Sequence, residues 1–133
     1  MPKTLPALHL SISIQRSFQD VYAFASNPAN LPKWAAGLSN GITRQGDEWI
    51  SESPMGRVKV KFAPANPFGV LDHDVTLPSG QVVHNPLRIL PNGTGSEVVF
   101  TLFQLDGMSD QEFERDAGMV QSDLKRLKQL LES

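Results

Sequence analysis

A chain of 133 residues is long enough for one domain with a core of its own. It is 40% hydrophobic and 20% charged, the mix of a globular protein, and its 12 basic and 14 acidic residues leave a net charge of -2, no footprint for nucleic acid. The absence of cysteine excludes disulfides, thiolate nucleophiles and cysteine metal sites, and fits a reducing, cytoplasmic setting.

No apolar run approaches the roughly 20 residues of a membrane span. The N-terminal stretch "MPKTLPALHLSISIQ" alternates apolar and polar residues, so it reads as a strand and not as a signal peptide. Leu8, Leu10, Ile12 and Ile14 form its inner face, and His9 points outward. Ser17 is placed to cap a helix carrying Phe18, Val21, Tyr22, Phe24 and Ala25. Asn27-Pro28 ends that helix and starts a second short one, "NPANLPKWAAGL", with Leu31, Trp34, Ala35 and Leu38 at helical spacing.

A run of strands follows: "NGITRQ", "EWISES", "GRVKVKFA", "VLDHDVTL", "QVVHNPLRIL" and "SEVVFTLFQL". Their connections are too short for crossovers, which predicts antiparallel hairpins. Val58, Val60 and Phe62 share one face of "GRVKVKFA", while Arg57, Lys59 and Lys61 make a solvated one. Trp49 points inward on its strand, and Val98, Phe100, Leu102 and Gln104 are expected inward on the last. The C-terminal segment is a long amphipathic helix. Ser109 and Glu112 form a capping box, and Phe113, Ala117, Val120, Leu124, Leu127 and Leu131 form one apolar stripe. Acidic residues gather at its start, with Lys125, Arg126 and Lys128 expected at its end. Gly118 falls inside it, which predicts either room for a ligand or close packing on the sheet. The result is an α+β chain: a curved antiparallel sheet wrapped around a long C-terminal helix, with two short helices after the first strand. If sheet and helix meet only at one end, a cavity remains between them.

The stretch "SISIQRSFQDVYAFASNPANLPKW", the strand series and the amphipathic last helix together resemble the START-like superfamily, also called helix-grip, SRPBCC or polyketide cyclase/dehydrase-like. The resemblance covers residues 1–133 as a single domain. It implies a pocket for a lipid, a polyketide or a similar hydrophobic molecule, and it leaves catalysis open, because the superfamily shares a cavity and not a reaction.

The triplet Asp72-His73-Asp74 is the most suggestive chemistry in the chain. Strand parity places His73 inward with Leu71 and Val75, and both aspartates outward, so the three cannot converge on one metal. With Pro78-Ser79-Gly80 as the hairpin loop, Val75 faces Val83, His73 faces Asn85 and Leu71 faces Leu87. This predicts a His73–Asn85 polar pair on an apolar inner face, with Pro86 as a possible bulge that shifts the register. Such a pair serves packing, a ligand's polar end, or a base in an aldol-type cyclisation or dehydration. His84 is expected at the surface. No catalytic residue is committed beyond His73 with Asn85 as the candidate. No GxSxG, phosphate loop, HExxH or dinucleotide fingerprint occurs. Residues expected around a cavity are Trp34, Trp49, Val60, Phe62, Leu71, His73, Asn85, Leu87, Phe100, Leu102, Ala117 and Val120. No metal and no cofactor are expected. The leading expectation is non-catalytic binding of a small hydrophobic molecule, with a cyclase or dehydratase using His73 and a protein-interaction module as alternatives.

Overall fold

The computed structural model describes residues 2–38, 40–54 and 56–133; Met1, where the quoted N-terminal stretch begins, lies outside them together with Ser39 and Met55. In chain order the elements are β1 (Ala7–Ile14), α1 (Phe18–Ala25), α2 (Leu31–Trp34) between two single 3-10 turns, β2 (Thr43–Gln45), β3 (Glu48–Ser53), β4 (Gly56–Phe62), β5 (His73–Thr76), β6 (Val82–Asn85), β7 (Leu87–Asn92), β8 (Gly95–Phe103) and α3 (Asp110–Glu132). Every ladder is antiparallel, in two sheets ordered β1-β8-β7 and β2-β3-β4-β5-β6. This is the α+β arrangement that the hairpin spacing and the last helix call for, and it is consistent with the helix-grip form that the resemblance implies.

The segment "QVVHNPLRIL" is two strands, not one. Proline has no N–H to donate to a ladder, and at Pro86 the chain leaves β5 and takes β8 as its partner, with the Pro86 carbonyl accepting from Thr101 N–H. The register is not shifted by this. His73 still faces Asn85 and Val75 faces Val83, and Leu71 N–H donates to Leu87 O beyond the proline. Leu87 N–H, at the crossing, is met by the side chain of Asp72 at 2.9 Å.

Local signals act as expected at the helix starts. Ser17 accepts the Asp20 N–H, and Ser109 and Glu112 exchange both bonds of a capping box. The cations of α3 correct the expectation, since none lies in its last turn. They act sideways instead: Arg126 donates to Lys33 O on α2, and Lys128 to Ser13 O on β1. Arg16, from the end of β1, supplies the missing cation by donating to Leu131 O at 2.6 Å.

The core lies over the C-terminal half of α3. Leu124, Leu127 and Leu131 are buried against Ile14, Val21, Ile89 and Val98. The N-terminal half is different: Phe113, Ala117 and Val120 are only half-buried. The stripe thus closes the core at one end, while at the other Val120 borders a cavity that Phe113 and Ala117 do not line. Gly118 serves neither expected role. It is exposed, and a side chain there would meet open space.

Candidate functional site

Between the inner face of β4–β6, the middle of β8, α2 and the first half of α3 lies a funnel with two chambers. The outer one holds about 300 Å³ and the inner one about 90 Å³. They are adjacent, with Ala35, Leu38, Val75, Phe100, Val120 and Asp123 in the walls of both. Phe103, Met108 and Met119 give the outer wall an apolar rim, and Phe103 and Met119 remain exposed. A wider cleft of about 620 Å³ beside Arg16, Asp20 and Asn92 is polar, and its Arg16 is already engaged with Asp20 and Leu131.

Of the residues expected around a cavity, the structure brings Trp34, Val60, His73, Leu87, Phe100 and Val120 into the inner chamber, and Asn85 and Leu102 into the outer one. Trp49, Phe62, Leu71 and Ala117 do not line either. Leu71 is sealed in the core at 2% exposure, and Trp49 packs against the core from its position opposite Val60. Phe62 sits behind His73, with ring centroids 4.9 Å apart.

His73 points inward as strand parity requires, but it is not hydrogen-bonded to Asn85. Its Nδ1 lies 3.0 Å from Leu71 O, and Asn85 Nδ2 donates to Val83 O at 3.1 Å. Each side chain reaches back to the carbonyl two residues earlier, which in a strand belongs to the same face. A carbonyl only accepts, so Nδ1 carries the proton and Nε2 is left as an acceptor. Phe62 on one side and Phe100 at 6.4 Å enclose the ring. Burial is the main reason that its pKa falls below the usual histidine value, with the Leu71 carbonyl, Asp72 and Asp74 opposing. The ring is therefore neutral at physiological pH.

Both aspartates of the triplet face outward, each with its own partner. Asp72 binds Arg88 through two bonds of 2.8 and 2.7 Å, and that guanidinium holds its carboxyl below the usual range. Asp74 is 2.6 Å from His84 Nδ1 on the next strand, and His84 is largely exposed although it edges the outer chamber. Among the described residues, no group of histidines and carboxylates is arranged to hold a metal ion.

Besides apolar wall residues such as Leu38, Val75 and Met119, sequence reasoning misses the two carboxylates of the site. Asp116 and Asp123 sit two turns apart on α3; both line the outer chamber, and Asp123 lines the inner one as well. Burial pushes both carboxyls up. One oxygen of Asp123 accepts Ala36 N–H at 3.2 Å, and no ion pair to Asp123 forms among the described residues, although Lys33 and Arg126 share a separate cleft with it. The signal for them is that both fall beside the apolar stripe rather than opposite it. Trp34 contributes its ring to the inner wall, while its indole Nε1 is sealed off and has no hydrogen-bond partner.

Residues 6–132 match the family model described as polyketide cyclase / dehydrase and lipid transport. The chain belongs to this family. Among solved structures it resembles XoxI from Bacillus cereus (TM-score 0.76, 15% identity, 97% of each chain covered). It also resembles the Aha1 dimer from Colwellia psychrerythraea (TM-score 0.77, 17% identity, 96% of this chain and 97% of that one). A third likeness is to DynU16 of the dynemicin biosynthetic locus (TM-score 0.74, 11% identity), where 96% of this chain covers 47% of that one. At these identities the likeness is one of fold. No curated protein matches the sequence. No helix among the described residues is long and apolar enough to cross a membrane.

Proposed function

We propose that this chain binds a small, largely apolar molecule in the funnel between β4–β6, β8 and α3, and carries out no committed chemistry on it. The observation that supports this most is the funnel itself: two adjoining chambers lined mainly by apolar side chains, with Asp116, Met119, Val120 and Asp123 of α3 in their walls. Burying apolar surface there is favourable at about 25 cal/mol per Å², so a molecule filling both chambers gains where the protein alone leaves a void. Family membership supports the same reading. A cytoplasmic setting and a single-domain chain complete the proposal.

Native mass spectrometry of protein purified from cells is expected to release a bound apolar molecule, and Val120→Trp, which fills the funnel from α3, to abolish that carriage. A wild-type protein that emerges empty and excludes apolar fluorophores as well as the filled variant does would contradict the reading.

A second reading is a polyketide cyclase or dehydratase with His73 as general base. The free Nε2 of a tautomer fixed by Leu71 favours it, because a neutral acceptor in a dry wall is suited to take a proton next to a carbonyl. Turnover of a poly-β-ketone by wild type and by His73→Ala at equal rates would remove that role.

A further inference from the structure

The inner chamber carries a chemical preference that its shape alone does not reveal. Among its described lining residues, His73 and Asp123 carry the polar side chains, apart from Trp34, whose indole nitrogen is sealed. Both are acceptors. His73 has its one N–H committed to Leu71 O, so Nε2 offers a lone pair. Asp123 uses one oxygen on Ala36 N–H and keeps the other without a protein partner. Among the described residues, neither chamber is lined by a lysine or an arginine, and the outer one adds a further carboxylate, Asp116. A molecule entering the funnel therefore meets acceptors and negative charge, in surroundings where unmatched polar groups are costly.

We propose that the funnel selects an uncharged apolar molecule bearing a hydroxyl, of the phenol or alcohol class, which donates its O–H to His73 Nε2 or to the free oxygen of Asp123, and that it rejects carboxylates. This rests on the binding reading above and sharpens it. A hydroxyl turns an unused acceptor into a satisfied one inside a low-dielectric wall. An ether of the same shape brings no donor. A carboxylate brings a like charge beside Asp116 and Asp123, with no lysine or arginine among the described lining residues to answer it, and must lose its water to get there. Burial raises the carboxyl pKa of Asp123 against the single opposing bond from Ala36, as expected of a charge with no counterion.

Three naphthalenes of similar size separate the possibilities: 2-naphthol, 2-methoxynaphthalene and 2-naphthoate, titrated calorimetrically into the full chain at pH 7.5. The expected order is naphthol tightest, the ether about tenfold weaker for want of one hydrogen bond, and naphthoate at least about a hundredfold weaker. Asp123→Asn keeps an oxygen for Ala36 N–H while removing the charge. It is expected to bring naphthoate about tenfold closer to naphthol. Naphthoate binding as well as naphthol, or an Asp123→Asn variant with an unchanged naphthol-to-naphthoate ratio, overturns the proposal. If the ether binds and naphthol has no advantage, the hydroxyl preference falls while the binding reading stands. If none of the three binds, both fall together.

Discussion

Protonating His73 would place a charge between Phe62 and Phe100, in a ring whose one available N–H is already given to Leu71. The consequence for stability has a definite sign. The unfolded chain takes up this proton near the ordinary value of about 6.5, and the folded chain only at lower pH, because burial depresses the ring. Between the two values the unfolded state holds more protons, so stability is whole above that window and falls as the pH drops through it. Denaturant midpoints measured from pH 7.5 to 5 are expected to show this decline in the wild type and a shallower one in His73→Phe. Parallel curves would contradict a buried neutral histidine. Asp116 and Asp123, with raised carboxyls, act in the opposite sense nearer the carboxylate range, so the difference between the two proteins isolates the imidazole. The inward direction of His73 is legible in the sequence, because alternation along a strand leaves it no other choice. Its hydrogen-bond partner is not, because the cross-strand residue Asn85 and the same-face carbonyl of Leu71 both lie in reach and only the ring rotamer decides between them.

α3 is packed in its C-terminal half and borders the funnel nearer its middle, at Asp116, Met119, Val120 and Asp123. Leu127 is fully buried, so Leu127→Ala removes contacts from a filled core and is expected to cost about 2–5 kcal/mol in chemical denaturation. Val120 already borders space on its cavity side, and Val120→Ala is expected to cost less than about 1 kcal/mol, little more than the transfer term of the missing methyls. Equal losses at the two positions would mean that the stripe is uniformly packed. Gly118→Ala should stabilise by about 0.5–1 kcal/mol, since it lowers the entropy of the unfolded chain and adds a side chain that meets nothing. A destabilised Gly118→Ala would show that the position needs its missing side chain. The helix, its cap and its apolar stripe are legible from spacing alone. Periodicity does not tell which half of the stripe meets protein, because that depends on how far the sheet curls away from it. For the same reason Asp116 and Asp123 escape notice: at the edge of an apolar stripe a carboxylate looks like an ordinary solvated flank until the cavity beneath it is seen.

At the level of the whole molecule, the chain changes sheets at Pro86, and that bend separates the funnel wall of β5 and β6 from the β1-β8-β7 sheet under the core. A proline inside an apolar strand is readable as a break; that the two halves then take different partners is a long-range fact that no local signal carries. Family membership accounts for the fold, whereas the chemistry of the funnel comes from the side chains this sequence places in it: His73, Asp116, Asp123 and the ring of Trp34. Apolar ligands are expected to enter this funnel and not the exposed hydrophobic sites elsewhere. A 1H–15N and 1H–13C NMR titration of the full chain with 2-naphthol tests it most directly. Saturable shifts concentrated at Trp34, Leu38, His73, Val75, Phe100 and Val120 are expected. Shifts that fail to saturate, or that gather instead at the exposed Leu8, Phe68 and Leu90, would contradict it.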